Sequence, residues 1–424
     1  MLSHKKVRGF SLVEMMVAVV IGLIGTVIIF QVFAVSEGQK RTTVSGGDAQ
    51  QNGGIALFSM ERELRNAGNG LTQLIARGVP IYGWNNVTGA ARPALVMRPV
   101  TITAGATSDT IDINYATFGG LTAPVIVTSP TGSWNPASVA AGNILSVASA
   151  VGFNNGDKIV VCPPVPVPTN PPPGATGDTC IIAEITDLPG GVRILVEPPP
   201  TEFQVYDSAL DTSKFNPAAG FGVLNPTLAL DGKALPATYS AGIGGIGSAL
   251  VYNLGNSFVT KRYAVDVANS RMTIDTGSGS GPEEFTDGVI AIRAQYGLDT
   301  SAVLDGAVDV WVNPKSVPAN ALADNTPDHP SCVTTTAAGI ANCWPRVQAV
   351  RIAIVTRSGI LEKTEVETRS SIPLWTNPTG NPVPGPSFAV AAGDARRYRY
   401  KVFETIVPLR NMIWQVHRPD TTGE

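Results

Sequence analysis

The stretch that decides the fold is Gly9–Glu14, which reads GFSLVE and leads directly into a long apolar run. Residues 15–35 continue as MMVAVVIGLIGTVIIFQVFAV, which is 21 residues with no charge and one amide, Gln31. A helix of that length rises about 30 Å, which matches the hydrocarbon core of a bilayer. The sequence therefore predicts a transmembrane helix over residues 10–35.

The residues that flank the run predict its orientation. Lys5, Lys6 and Arg8 precede it, and cytoplasmic flanks are the ones enriched in Lys and Arg. We therefore expect a single-pass membrane protein with a cytoplasmic N-terminus and an exported region from residue 36 onward. An ordinary signal peptide fits less well, because its apolar region has only about 7–15 residues.

Glu14 is the residue that a plain membrane anchor does not explain. A carboxylate inside a membrane costs about 2.5–3.5 kcal/mol on insertion scales and needs a partner. Cleavage between Gly9 and Phe10 would create one, because it frees an N-terminal amine on Phe10. In an assembly of such helices, Glu14 of one subunit would pair with the amine of its neighbour and thereby fix their axial register.

This stretch resembles the class III signal of type IV pilins and pseudopilins, which have a short basic leader, a Gly, and Phe-Thr/Ser-Leu-x-Glu opening an apolar helix. The resemblance implies that residues 1–9 are a leader, removed after Gly9 by a prepilin peptidase on the cytoplasmic face. It also implies N-methylation of the new amine on Phe10 and an assembly contact at Glu14.

Residues 36–70 predict an exported continuation of the same helix, because apolar side chains recur there at near-helical spacing. The apolar residues assigned to one side are Ile55, Leu57, Phe58, Met60, Leu64 and Ala67; the charged residues assigned largely to the other are Glu61, Arg62, Glu63 and Arg65. Gly46-Gly47 and Gly53-Gly54 weaken the middle, since each Gly costs up to about 1 kcal/mol relative to Ala. Two shorter helices are therefore the alternative.

Composition excludes several classes of function. Charged residues make up 15% of the 424 residues, and Gly and Pro number 44 and 33, a mix typical of a turn-rich β protein. The net charge is −3, and loss of the basic leader leaves 27 basic against 33 acidic residues, so no nucleic-acid surface is expected. With only three His, an imidazole-rich metal centre is nearly excluded.

Beyond residue 70, short β-rich segments alternate with turn residues, so residues 71–424 predict a periplasmic β-rich globular region. The predicted strands are Thr110–Tyr115, Lys158–Val161, Val192–Val196, Leu250–Asn253, Val289–Tyr296, Val347–Thr356 and Tyr398–Val407. The expected fold class is α+β and type IV pilin-like. In that fold a long N-terminal transmembrane helix packs on an antiparallel sheet, here with large β and loop insertions.

The four cysteines of the exported region are disulfide candidates, because the periplasm permits disulfides. Cys162 with Cys180, and Cys332 with Cys343, are the pairings that each close a short loop-rich segment, although three connectivities exist. Free thiols are the alternative. A zinc site is poorly supported, because the sequence has no Cys-x-x-Cys pair.

Four segments resemble the PilW family of minor type IV pilins. They are Ala56–Gly70 (ALFSMERELRNAGNG), Phe285–Asp299 (FTDGVIAIRAQYGLD), Trp344–Ser358 (WPRVQAVRIAIVTRS) and Tyr400–Arg410 (YKVFETIVPLR). They correspond to the family's Arg-x-Leu-Arg-x-Ala-Gly helix ending, its Gln-Tyr-Gly-x-Asp, its Val-x-Ala-Val-Arg-Ile strand and its C-terminal strand. Residues 71–284 contain little that matches.

The resemblance implies assembly rather than catalysis, with no cofactor. Minor pilins prime fibre growth and lie at or near the pilus tip. The implied partners are other minor pilins and the major pilin, the prepilin peptidase, the inner-membrane assembly machinery and often a tip adhesin. A J-type pseudopilin of a type II secretion system is the first alternative, and a membrane-anchored adhesin or hydrolase is the second.

Two further motifs give weaker signals. Gly242–Gly247 fits G-x-G-x-x-G, but a strand-like segment follows it where a dinucleotide site needs a helix, which favours a β loop. Asp299, Asp305 and Asp309 are weak calcium candidates. A hairpin turn is the preferred interpretation, because apolar residues occupy two positions where a calcium loop has a ligand and a Gly.

Overall fold

The computed structural model describes residues 11–71, 74–75, 80–82, 84–85, 90–91, 95–116, 124–126, 133–134, 143–162, 180–185, 202–206, 239–240, 250–256, 258–276, 281–315, 325–332, 343–375 and 385–416. Gly9 and Phe10, the predicted strand Val192–Val196, and Gly242–Gly247 lie outside these residues.

One unbroken helix, α1 (Leu12–Asn66), joins the apolar N-terminal segment to the rest of the protein. Its 55 residues pass through Gly46-Gly47 and Gly53-Gly54 without a break and span about 80 Å. The prediction of a single helix is therefore confirmed, and the two-helix alternative is wrong. The helix ends where Gly68 enters the left-handed region at φ +75° and its N–H donates to the Asn114 carbonyl at 2.8 Å.

The rest of the described chain consists mainly of strands. In chain order they are β1 (Pro80–Tyr82), β2 (Trp84–Asn85), β3 (Ala90–Ala91), β4 (Leu95–Val96), β5 (Val100–Thr103), β6 (Thr110–Ala116), β7 (Val125–Ile126), β8 (Ser133–Trp134), β9 (Asn143–Ser146), β10 (Lys158–Cys162), β11 (Cys180–Glu184), β12 (Glu202–Tyr206), β13 (Tyr239–Ser240), β14 (Leu250–Gly255), β15 (Phe258–Asp266), β16 (Arg271–Asp275), β17 (Glu283–Asp287), β18 (Val289–Leu298), β19 (Val310–Val312), β20 (Val347–Arg357), β21 (Ser371–Pro373), β22 (Ser387–Ala389) and β23 (Tyr400–Pro408). Short 3-10 turns occupy Trp344–Arg346 and Gly393–Arg397, and a short helix, α2 (Arg410–Val416), follows β23.

Three sheets contain most of these strands, and together with their connections we call them the head. Sheet I has the order β19-β18-β20-β23, sheet II has β17-β16-β15-β6-β5, and sheet III has β4-β1-β11-β10-β14-β7. Sheets I and II are antiparallel throughout, whereas sheet III contains one parallel pair, β1 with β11. Six predicted strands agree with β6, β10, β14, β18, β20 and β23 to within two residues at each end.

The core lies between α1 and the sheets. The buried row of the helix is Gly53, Ala56, Met60, Leu64 and Ala67, which recur every three or four residues as a packed helix face requires. Ile55 and Phe58, expected on this face, are instead 46% and 68% exposed, and Glu63, expected opposite, is buried. The helix is rotated about its axis relative to the expected orientation, so that the small Ala56, rather than its bulkier neighbours Ile55 and Phe58, faces the sheets.

Gly53 allows close contact between α1 and β23. A Cβ at this position would lie only 2.2–2.8 Å from three ring atoms of Phe403, whereas a Cβ at the neighbouring Gly54 would meet nothing within 4 Å. The glycine pair therefore has two different roles. Gly53 is required by packing, and Gly54 is an exposed helical glycine without a contact.

We predict opposite effects of alanine at these two glycines. Gly54→Ala should stabilise the protein by about 0.5–1 kcal/mol, because Ala loses less conformational entropy in a helix. Gly53→Ala should destabilise it by about 1–3 kcal/mol, because the methyl group displaces the Phe403 ring from the interface. Thermal unfolding of the full-length protein in detergent would measure both. An equal rise in Tm for the two variants would contradict the packing role.

Glu63 connects α1 to sheet II. Its carboxylate accepts hydrogen bonds from Lys261 Nζ at 2.9 Å, from the Tyr115 hydroxyl at 2.7 Å and from Arg62 at 3.2 Å. Burial alone would raise the pKa of Glu63, but the hydrogen bonds from Lys261 and Tyr115 outweigh it and hold the pKa below 4.5. The ionised form is thus the one that the fold stabilises.

The lowered pKa of Glu63 predicts a pH-dependent contribution to stability. It should be fully present above the unfolded-state value near pH 4.5 and lost as the pH falls through the lower folded-state pKa. At neutral pH, Glu63→Gln should cost about 1.5–3 kcal/mol, the usual value for hydrogen bonds to a charged group. Urea unfolding of both proteins at several pH values would test this. A cost that does not shrink in acid would contradict the assigned ionisation.

Candidate functional site

The first described residues of α1 form a helix start with a carboxylate in its first turn. Ser11 occupies the N-cap with extended backbone angles, φ −71° and ψ 144°, and its N–H donates to Glu14 Oε2 at 3.5 Å. A negative charge at this end of a helix also interacts favourably with the helix dipole. The Glu14 side chain is exposed, so its carboxylate is accessible to a neighbouring molecule.

None of the residues that the structure describes packs around the apolar half of α1. Its large apolar side chains are each 52–75% exposed; they are Leu12, Val13, Met15, Met16, Val17, Val19, Val20, Ile21, Leu23, Ile24, Val27, Ile28, Ile29, Phe30, Val32, Phe33 and Val35. The helix is long and apolar enough to cross a membrane. Apolar surface of this extent is not stable in water, so lipid or other helices have to cover it.

Polar side chains within the apolar half are compatible with a lipid environment. The Thr26 hydroxyl donates to the carbonyl oxygens of Gly22 at 3.1 Å and Leu23 at 2.8 Å, within the same helix. A hydroxyl that is satisfied inside its own helix does not need water. This segment therefore has the properties of both a membrane span and a helix that packs against other helices.

On the head, the family-like segment Gln295–Asp299 forms a set of contacts across sheet I. The Gln295 side chain accepts hydrogen bonds from Arg351 Nε at 3.0 Å and from Trp375 Nε1 at 3.3 Å, and donates to Asn313 Oδ1 at 2.6 Å. The buried amide thereby joins β18 to β20 and to the segments beyond β19 and β21. Its role in this fold is to orient Arg351.

Arg351 lies between two tryptophan rings on the outer face of sheet I. Its guanidinium carbon is 4.6 Å from the centre of Trp311 and 4.7 Å from that of Trp375. Burial lowers the pKa of Arg351 to about 10, partly offset by the negative charge of Glu404. The cation is retained there by both aromatic faces and by Gln295, an arrangement that stabilises a desolvated guanidinium.

Tyr296 and Gly297, the next two residues of the segment, each have a structural role. The Tyr296 hydroxyl accepts the Ile102 N–H at 2.7 Å and donates to the Asn325 carbonyl at 2.9 Å, which ties sheet I to sheet II. A Cβ at Gly297 would lie 2.9 Å from the Trp311 ring. Only a residue without a side chain therefore allows Trp311 to cover the strand.

Asp299 and Asp309 organise the loop between β18 and β19. One Asp299 oxygen accepts the N–H groups of Asp305 and Gly306, both at 2.8 Å, and the other accepts that of Ser301 at 3.0 Å. The Asp309 carboxylate accepts the Thr300 N–H at 2.7 Å, which lowers the pKa of Asp309. The calcium candidates thus serve a hairpin loop, and within the described ranges no group of three or more His, Cys, Asp or Glu could hold a metal ion.

The four cysteines form the two local pairs. Cys162 is bonded to Cys180 across the adjacent strands β10 and β11, with Cα atoms 4.3 Å apart. Cys332 is bonded to Cys343, with Cα atoms 4.6 Å apart, just before the turn that leads into β20. The four cysteines belong to the core, and the disulfides join positions that are 18 and 11 residues apart in the sequence.

Sequence reasoning missed the polar contacts that join the sheets. Arg293 Nη1 lies 2.6 Å from Asp109 Oδ1, and the other oxygen of Asp109 accepts the Ala294 N–H at 3.0 Å. Burial raises the pKa of Asp109, and the positive charge of Arg293 partly offsets that effect. Asp109 and Arg293 are 184 residues apart, so no local pattern could have shown that they meet.

Two family models match the chain in the regions just described. Residues 257–411 match the model of the type IV pilus-assembly protein W, and residues 4–30 match the prokaryotic N-terminal methylation motif. The first range includes Gln295–Asp299, Arg351 and Phe403, and the second includes Gly9–Glu14. No curated protein matches the chain.

Among solved structures, the chain is similar to a type IV-like pilin from Thermus thermophilus, with 16% sequence identity and a TM-score of 0.18. The match covers 37% of this chain and 66% of the Thermus chain, just under two thirds of its length. Because that TM-score is low, the fold assignment rests on α1 and the sheets themselves. The two family models cover less than half of the chain, and together with the helix-on-sheet fold they support a PilW-type minor pilin.

Proposed function

We propose that this protein is stored in the bacterial inner membrane by residues 10–35 and takes part in building a type IV pilus. In this proposal residues 36–70 and the region 71–424 lie in the periplasm until assembly. The observation that carries the proposal is α1 itself. One continuous helix has an uncovered apolar half that suits lipid or a fibre core, and a second half that is packed into the head.

Processing at Gly9 and Phe10 prepares the helix for assembly. A prepilin peptidase removes residues 1–9, and the new amine on Phe10 is then methylated. The match of residues 4–30 to the methylation motif supports this step. Removal of the leader also takes away Lys5, Lys6 and Arg8, so the positive charge that favours retention in the cytoplasm is lost.

Glu14 then sets the register between neighbouring helices. In the single chain its hydrogen bond from Ser11 is long, at 3.5 Å, and therefore weak. The amine on Phe10 of an adjacent pilin offers the carboxylate a charged partner in a low-dielectric setting, where an unpaired charge is costly. The protein joins other minor pilins in this way, and the complex primes fibre growth at the pilus tip.

We predict that Glu14→Ala is processed normally but fails to support piliation. The methylated N-terminus should still form, because the cleavage bond is unchanged, whereas the subunit loses the charge pair that fixes its register. A deletion strain complemented with each variant would be scored for surface pili by electron microscopy, with Glu37→Ala as the control carboxylate outside the span.

The same strains distinguish the alternatives. Normal piliation with Glu14→Ala would contradict the assigned contact. Loss of protein secretion with intact pili in the deletion strain would indicate a pseudopilin of a type II secretion system. Intact pili and intact secretion would indicate a membrane-anchored adhesin or hydrolase instead.

We predict that Gly9→Val leaves the leader attached. A β-branched residue on the leader side of the scissile bond should block the peptidase, and the amine on Phe10 would then never form. Intact mass spectrometry of the membrane fraction should show the unprocessed mass. Ser3→Val, which adds the same side chain away from the bond, serves as the control and should be processed; processing of both variants would rule out cleavage after Gly9.

A further inference from the structure

One end of the head faces towards the apolar half of α1, as the direction of β23 shows. Near the start of β23, Lys401 Nζ donates to Gln50 Oε1 at 3.4 Å, and beyond its end Asn411 Nδ2 donates to the Ala67 carbonyl at 3.0 Å. β23 therefore runs in the same direction as α1. Its first residues, and the end of β20 that pairs with them, form the edge of the head closest to the span.

The loop Ser358–Glu367, which we call the foot loop, follows β20 at this edge. Arg357 and Ile360 line a cavity of about 550 Å³ together with Lys40 and Val44 of α1. From Val35, the last residue of the apolar run, the helix rises about 8 Å to Lys40 and about 14 Å to Val44. The headgroup layer on each side of a bilayer is about 5–8 Å thick. If α1 spans the membrane as proposed above, the cavity that the foot loop borders begins at that layer, at Lys40, and extends about 6 Å beyond it, to Val44.

The foot loop has a fixed backbone. The Ser358 N–H donates to the Arg399 carbonyl at 2.8 Å, and the N–H groups of Glu362 and Val366 donate to the carbonyls of Arg397 and Arg396, both at 2.9 Å. These carbonyls belong to, or directly follow, the 3-10 turn Gly393–Arg397. The backbone of the loop is therefore attached to the head at three points along its length.

Apolar side chains are exposed on this fixed loop. Ile360, Leu361 and Val366 are 39%, 37% and 36% exposed. Single exposed apolar residues are common on protein surfaces. Here three of them occur within seven residues of one short loop, at the edge of the head that faces the span.

Charged side chains around the loop suit a lipid surface. The loop has three acidic residues, and each lies close to an arginine. Glu362 is 3.0 Å from Arg399, Glu365 is 4.0 Å from Arg396, and Glu367 is 2.8 Å from Arg369. Lys363 and Arg399 are exposed beside the apolar residues. Lys and Arg next to apolar side chains are typical of segments that lie in a membrane interface.

We infer that the foot loop rests on the periplasmic leaflet of the inner membrane before assembly. Ile360 and Leu361 contact the headgroup layer, and Lys363 and Arg399 contact lipid phosphates. The contact fixes the tilt of the head while the protein is stored. This inference depends on the proposed membrane orientation of α1. Its test therefore has to distinguish failure of the lipid contact from failure of the membrane span.

The test uses the full-length protein in nanodiscs of phosphatidylethanolamine and phosphatidylglycerol, labelled at single introduced cysteines with an environment-sensitive fluorophore. Leu361→Cys should show blue-shifted emission, several-fold weaker quenching by aqueous iodide, and quenching by lipids that carry a nitroxide near the headgroup. Ile360→Cys provides a second site in case one label disturbs the loop. Val303→Cys is the matched control, because Val303 is 84% exposed in the loop at the opposite end of sheet I.

Ile21→Cys reports separately on the span. Water-like emission at positions 360, 361 and 303 together with hydrocarbon-like emission at 21 would overturn the lipid contact and leave the span intact. Water-like emission at all four positions would overturn both. Protection of Leu361 that appears only after other minor pilins are added would identify the loop as a protein interface and would likewise overturn the lipid contact.

Discussion

The structure depends on one helix that meets two environments with a single continuous backbone. In α1 every backbone group between the ends is satisfied within the helix, so the same element can lie in lipid and in a protein core. Only the side chains change along its length. Apolar residues surround the first half, whereas in the second half the buried row is small enough at Gly53 and Ala56 for the sheet to approach closely.

The family-like segments of the head have mainly architectural roles. Gln295 positions Arg351, Tyr296 joins two sheets, Gly297 makes room for Trp311, and Asp299 shapes the loop that follows. Each residue of this motif makes a packing contact or a hydrogen bond that stabilises the head.

The sequence predicted those features whose signal is local. The uninterrupted apolar run was enough to place the first half of α1. The alternation of Ile111 and Ile113 with polar neighbours was enough to place β6, because burial of one face of a strand makes every second residue apolar. Contacts between distant segments could not be predicted in this way. Glu63 was assigned to the solvent side because its partners Tyr115 and Lys261 come from strands 52 and 198 residues away. Sheet III was predicted only at β10 and β14, and β1, β4 and β7 were missed because each has only two or three residues.

The shared direction of α1 and β23 has a mechanical consequence. In a fibre whose subunits are joined through their helices, tension enters the head along α1 and passes to the neighbouring strand. The antiparallel ladder between β20 and β23 is nine residue pairs long, and it lies along that line of force. Its hydrogen bonds are then loaded in shear, so they share the load and have to break together rather than one after another. The same geometry that packs the helix against the sheet also suits the head to bearing tension.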